Sequence, residues 1–165
     1  RAEQELTAAL QTDPRKADWQ AALGEVHLAK GRADLALQDA QAALKIVPNH
    51  GPAKFVEASA LAAIDDIDLA IESFQDAYSA ARSDPTVLIA AARACVRGER
   101  LTTAKAFADR ATEDFPKSSA AWEIEGDVAV ARKDAPLAKE AYQKALAGDG
   151  PADKEAIRRK LARVR

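Results

Sequence analysis

With 165 residues, 48% of them hydrophobic but only 5% aromatic, the chain is long enough for an ordinary buried core yet must build it without many large rings. A net charge of −2 excludes a globally basic nucleic-acid binder, and no apolar run is long enough to span a bilayer. The single cysteine, Cys95, excludes an internal disulfide and leaves the redox compartment open.

Alanine supplies about a quarter of the chain, and no stretch alternates β-branched and aromatic residues with polar ones, so the sequence predicts an all-α protein whose helices pack closely. Residues 1–14 read as one amphipathic helix, with Leu6, Ala9 and Leu10 on one face, ended by Asp13-Pro14. Residues 17–50 read as a helix bearing Trp19, Leu23 and Val26, a turn at Gly31, and a second helix bearing Leu35, Ala36, Ala40, Ala43, Leu44 and Val47. Residues 51–84 repeat the plan with Val56, Ala60, Leu61 and Ile64, then Ile67, Ala70, Ile71, Phe74, Ala77 and Tyr78.

Residues 85–118 begin with Asp84 as an expected N-cap and Pro85 at the first helical position. Leu88, Ala91, Ala92 and Cys95 precede the turn at Gly98-Glu99, and Leu101, Ala104, Ala108, Ala111 and Phe115 follow it. Residues 119–152 open on a serine cap and Trp122, turn at Lys133-Asp134, and continue through Leu137, Ala138, Tyr142, Ala145 and Leu146. Residues 153–165 carry Ile157, Leu161 and Val164 on one stripe and six basic side chains elsewhere, which suits a C-terminal capping helix. The rival reading of that tail is a basic amphipathic helix for an anionic surface or partner.

These segments are copies of one unit. Ala36, Ala70, Ala104 and Ala138 stand 34 residues apart, and so do Ala43, Ala77, Ala111 and Ala145. The turns at Gly31, Asp65, Glu99 and Lys133 share the step, while the third column reads Pro14, Pro48, Arg82, Pro116. A fixed period of this size marks stacked repeats, with small columns where backbones approach. One period back from Ala36 and Ala43 lie Ala2 and Ala9, so residues 1–14 read as the second half of a truncated repeat; with no methionine in the chain, the natural N-terminus is expected to lie upstream of Arg1.

The pattern resembles the tetratricopeptide repeat, which favours Trp-x-x-Leu-Gly-x-x-Tyr in its first helix and alanine, an aromatic, alanine and proline in its second. Leu23, Gly24, Ala36, Ala43 and Pro48 fit in the first repeat, Ala58, Leu61, Ala70, Phe74 and Ala77 in the second, Ala92, Ala104, Ala111 and Pro116 in the third, and Trp122, Gly126, Ala138, Tyr142 and Ala145 in the fourth. His27 and Cys95 stand at the aromatic position, Trp19 lies one place early, and Arg82 replaces the proline. The resemblance implies a right-handed α-solenoid of antiparallel helix pairs whose first helices line a concave groove. It places Glu25, Phe55, Ser59, Ile89, Arg93, Val96, Arg97, Glu123 and Asp127 in that groove. There an exposed Phe55 and Ile89 would anchor a peptide or partner helix beside a basic spot and acidic ends, unless Arg93 and Asp127 merely pair with each other. The lysine and asparagine of the chaperone-binding carboxylate clamp are replaced by Ala21 and Glu25, which argues against an acidic chaperone C-terminus as ligand.

No catalytic constellation, cofactor motif or metal-ligand spacing is present. His27 is expected in the core, His50 solvated in a turn and Cys95 buried. Asp65, Asp66 and Asp68 fail as a calcium loop, because Ile71 and Ala77 stand where glycine and glutamate are needed. The sequence thus predicts a non-enzymatic scaffold for a protein or peptide partner, with no nucleic acid and no membrane insertion. The alternative is a module that self-assembles through its terminal repeats, where Leu6 and Leu10 would lack a partner helix.

Overall fold

Four turns of one design set the spacing of the helices. In the computed structural model of the protein, which describes residues 1–80 and 85–164, Gly31, Asp65, Glu99 and Lys133 have φ of 71°, 67°, 57° and 63°. Each is the left-handed residue that closes a helix. The amide that follows reaches back into the last turn: Arg32 donates to the His27 carbonyl at 2.9 Å, Asp66 to Leu61 at 2.9 Å, Arg100 to Cys95 at 2.8 Å and Asp134 to Ala129 at 2.9 Å. This Schellman closure satisfies carbonyls that a helix end would otherwise orphan. Glycine adopts the conformation freely; aspartate, glutamate and lysine accept a penalty of roughly 1–2 kcal/mol each.

Among the described residues there are ten helices and no strand. They belong to two compact units, Arg1–Arg82 and Ser83–Arg165. The first contains α1 (Ala2–Thr12), α2 (Ala17–Ala29), α3 (Ala33–Ile46), α4 (Gly51–Ala63) and α5 (Ile67–Ala80). Here α1 packs on α2, α2 on both α3 and α4, α3 on α4, and α4 on α5. The second contains α6 (Thr86–Arg97), α7 (Leu101–Asp114), α8 (Ser119–Ala131), α9 (Ala135–Ala147) and α10 (Lys154–Arg163), packed in the same manner, with α10 against α9. Consecutive helices pair and the pairs stack, which is the α-solenoid architecture.

The two alanine columns are the seams. All eight residues from Ala36 to Ala145 are at most 1% exposed. In the first unit Ala36, Ala40, Val56 and Ala60 form one core cluster, and Ala17, Ala21, Ala43 and Ala53 another. At Gly24 a Cβ would lie 2.7 Å from the Val56 side chain and 3.3 Å from the Ala36 carbonyl, so the α2, α3 and α4 contact needs glycine. In the second unit the Tyr142 ring occupies the space where Gly126 would carry a Cβ. Ala129, Ala138, Tyr142, Ala145 and the fully buried Ile157 form the core on which α10 sits.

Some apolar residues expected inside are not. Leu35, Val47 and Ile64 are 41%, 42% and 42% exposed. Val47 and Ile64 are C-cap residues, beyond the last turn that faces a neighbour, and Leu35 lies in the first turn of α3. The expected N-cap Asp84 and the proline column's Arg82 lie outside the described residues; α6 begins at Thr86, with Pro85 just before it rather than at its first position. The other caps are present: Ser118 Oγ accepts from Ala121 N–H at 3.3 Å and Asp134 Oδ1 from Leu137 N–H at 3.1 Å.

Ala70, fully buried on α5, tests the seam. Ala70→Leu is expected to lower stability by about 1–3 kcal/mol through overpacking, read as the thermal midpoint; an unchanged midpoint would show that the column is not sterically closed.

Candidate functional site

The first helices of the pairs carry the residues assigned to the groove. In the first unit Glu25 is exposed on α2, while Phe55 and Ser59 are half-buried on α4. Phe55 is not a free anchor, because its ring lies tilted at 57° against Phe74, centroids 6.2 Å apart. In the second unit α6 presents Arg93 and Arg97 to solvent with Val96 half-buried between them, and Ile89 is only 9% exposed. Ile89 instead lines a cleft of about 570 Å³ with Pro85, Thr86, Phe115, Pro116, Ala120 and Pro151.

That cleft is held open by backbone. Ser119 N–H donates to the Asp149 carbonyl at 2.8 Å and Asp149 N–H to the Lys117 carbonyl at 2.6 Å, pinning 149–151 beside the start of α8. The approach is so close that a Cβ on Gly148 would meet the Ser119 backbone at 2.9 Å. Lys154 then ties α10 to the same place: its Nζ donates to Ser119 Oγ at 2.9 Å, to the Ala145 carbonyl at 2.7 Å and to the Gly148 carbonyl at 2.8 Å. A lysine here neutralises the C-terminal end of α9.

The acidic end of the predicted groove is occupied from within. Lys160 on α10 donates to Glu123 Oε1 at 2.7 Å and to both Asp127 oxygens at 2.7 and 2.8 Å, and Tyr142 Oη donates to Asp127 at 2.8 Å. Asp127 therefore does not pair with Arg93. Burial alone would pull the Lys160 ammonium down, but Asp127 and Glu123 outweigh it and raise its pKa. The contact was missed because the 34-residue register was not carried into the tail. Carried on, it puts Ile157 in the column of Ile89 and Lys160 in that of Gly24 and Gly126, facing α8.

The cysteine and both histidines sit in packed settings. Burial pushes the Cys95 thiol up to about 11, the opposite of what a nucleophile needs. His50 is not solvated: its Nδ1 accepts from Ala53 N–H at 3.2 Å, capping α4, and its Nε2 lies 2.8 Å from Asp18. His27 is buried, as expected, but between carboxylates, with Nδ1 2.6 Å from Asp39 and Nε2 3.3 Å from Glu3. A neutral ring donates to only one of them. Glu3 also takes Lys30, and Arg32 at 2.9 Å, so one carboxylate fastens α1 to the end of α2.

The sequence reading also missed Glu125. It stands three periods after Leu23, at a core position, and is 2% exposed, with Oε2 lacking any hydrogen-bond partner among the described residues and Oε1 3.4 Å from Lys105 Nζ. Burial raises its pKa against the pull of Lys105. The column reads Leu23, Glu57, Ala91 and Glu125, with Glu57 only half-buried, so residue type along it did not mark Glu125 as buried.

A family model for the tetratricopeptide repeat matches residues 1–51 and 89–154, well over half of the chain. The chain belongs to the tetratricopeptide repeat family. Its fold is similar to a chain of the APC/C hetero-tetramer Cut9–Hcn1, with TM-score 0.78, 18% identity, and 98% of this chain matching 33% of that one. It is likewise similar to pilF of Pseudomonas aeruginosa, with TM-score 0.76, 23% identity and coverage of 90% and 67%. A thermophilic tetratricopeptide repeat protein of Thermus thermophilus gives TM-score 0.79, 16% identity and coverage of 97% and 87%. This chain thus spans about a third of the first of these. No curated protein sequence matches it. The family's fold is generally a protein–protein interaction module, and its members are generally non-catalytic scaffolds. Among the described residues no helix is long and apolar enough to cross a membrane.

Two measurements follow. Because Lys105 also pairs with Asp109, removing the Glu125 carboxylate does not orphan it, and Glu125→Leu is expected to stabilise by about 1–3 kcal/mol at neutral pH. A carboxyl whose pKa is higher folded than unfolded loses stability as pH rises through that interval, so the gain in thermal midpoint should shrink in acid. Glu3 has the opposite sign: hydrogen bonds from Lys30 and His27 hold it from 4.5 down to about 2. Its anchoring of α1 is full above 4.5 and lost as pH falls towards about 2. Hydrogen-exchange protection of α1 should therefore exceed that of Glu3→Gln at neutral pH, and the difference should close across that acid range.

Proposed function

We propose that this protein is a non-enzymatic scaffold that binds a peptide or helix of a protein partner along the first helices of its repeats, within a larger protein or assembly. The observation that carries this reading is the apolar cleft beside Ile89, about 570 Å³ in volume and within the range of ligand pockets. Pro85, Phe115, Pro116 and Pro151 line it together with Ile89. It suits an apolar anchor, and the exposed Arg93 and Arg97 on the same helix supply polar contacts beside it. The Cut9–Hcn1 neighbour, a hetero-tetramer, supports the setting in an assembly. No constellation of acid, base and nucleophile competes with this reading.

Affinity capture tests it with the wild type, an Arg93→Glu/Arg97→Glu variant and an Ala120→Trp variant that fills the cleft. Both variants should recover at least about tenfold less of the wild-type partner, a loss of roughly 1.4 kcal/mol. If both retain the wild-type partners, the groove assignment fails.

A further inference from the structure

Three aliphatic side chains stay in water at one end of the Arg1–Arg82 unit. Short loops reverse the chain between α3, α4 and α5, and α4 packs on both of its neighbours, so the start of α3, the end of α4 and the start of α5 lie together. Those three places hold Leu35, Ile64 and Leu69, the last of them 50% exposed. The repeat does not demand aliphatic residues here: Leu35 and Leu69 share a column with Thr103, and Ile64 shares one with Lys30, Gly98 and Arg132. None of the three stands in a column assigned to the groove.

The same end is acidic. Asp34 and Asp68 precede the two leucines, and Asp65 and Asp66 form the turn after Ile64. Asp34, Asp65 and Asp66 make no ion pair among the described residues. The nearest cations in sequence, Lys30 and Arg32, both bind Glu3 on α1. An aliphatic surface is thus rimmed by carboxylates that no salt bridge offsets.

We propose that this end of the unit is a docking surface for a basic amphipathic helix of a partner protein. Such a helix lays aliphatic side chains on Leu35, Ile64 and Leu69 and sets lysines or arginines against Asp34, Asp65 and Asp66. The exposed aliphatics select an apolar stripe, and the carboxylates select the sign of the charge beside it. An anionic bilayer or a nucleic acid carries the same sign as the rim and is repelled by it. A second copy of this chain fits less well, because its own basic helix, α10, already packs its apolar stripe of Ile157, Leu161 and Val164 against α9. The surface goes beyond the groove reading, and each can fail without the other.

The test is an amide NMR titration of the whole protein with three capped peptides: Lys-Leu-Lys-Lys-Leu-Leu-Lys-Lys-Leu-Lys, the same peptide with glutamate for lysine, and the same with serine for leucine. The first should shift the amides of Leu35, Ile64, Asp66 and Leu69 saturably, and the other two should bind at least about tenfold more weakly. Two variants use residues that other repeats already carry in these columns: Asp34→Thr/Asp65→Lys follows Thr102 and Lys133, and Leu35→Thr/Leu69→Thr follows Thr103. Their thermal midpoints should stay near that of the wild type. Each variant should weaken the first peptide about tenfold, and added salt should weaken its binding to the wild type. Equal binding of the glutamate peptide, shifts confined to other residues, or unchanged binding by either variant would each overturn the proposal. Self-association of the protein that the leucine variant abolishes would give the surface to a second copy and overturn it as well. Ala120→Trp should leave this titration unchanged, which separates it from the Ile89 cleft.

Discussion

The close approach of helix backbones is the constraint on which the protein depends. At the alanine columns nothing larger than a methyl group separates adjacent helices, and at Gly24 and Gly126 there is not room even for that. Two large side chains fill such gaps, Val56 over Gly24 and Tyr142 over Gly126. A core of this kind buries little area per residue and gains its stability from many short contacts between small groups, so its tolerance for added volume is low. The left-handed turns serve the same end, since each reverses the chain within a few residues and keeps the paired helices in contact.

Charge is arranged around those seams. Glu3 fastens α1, Lys154 closes the end of α9, and Lys160 pairs with Glu123 and Asp127, offsetting one of their two negative charges. The last of these changes the electrostatics of the second unit. Both acids are engaged by α10, while α6 exposes Arg93 and Arg97. The capping helix thus covers apolar surface through Ile157 and engages the acids of α8 through Lys160. Glu125 is the exception to this economy: a buried carboxylate with one oxygen unmatched.

For function, the family supplies the general role of a protein-interaction module, and the apolar cleft beside Ile89 is what supports the proposed binding surface. His27 and His50 hold helices in place, and Cys95 is a buried thiol whose pKa is pushed up.

Most of the fold was legible because it is periodic. The 34-residue step located the seams, the four turns and the small positions, for the physical reason that a stacked repeat meets the same steric demand once per unit. The turn at Glu99 shows the strength of that information, since the left-handed residue is the one in phase and not its neighbour Gly98. The groove was legible only as a set of columns. Whether Ile89 projects or lies in a cleft, whether Phe55 is occupied by Phe74, and which cation answers Asp127 depend on residues one unit away in sequence and adjacent only after packing. Sequence alone determined the repeat, its period and its close-packed seams, because these follow from side-chain size at fixed spacing. Tertiary structure decided the exposure and charge of the binding surfaces, because these arise from side chains on different helices and no single column records them.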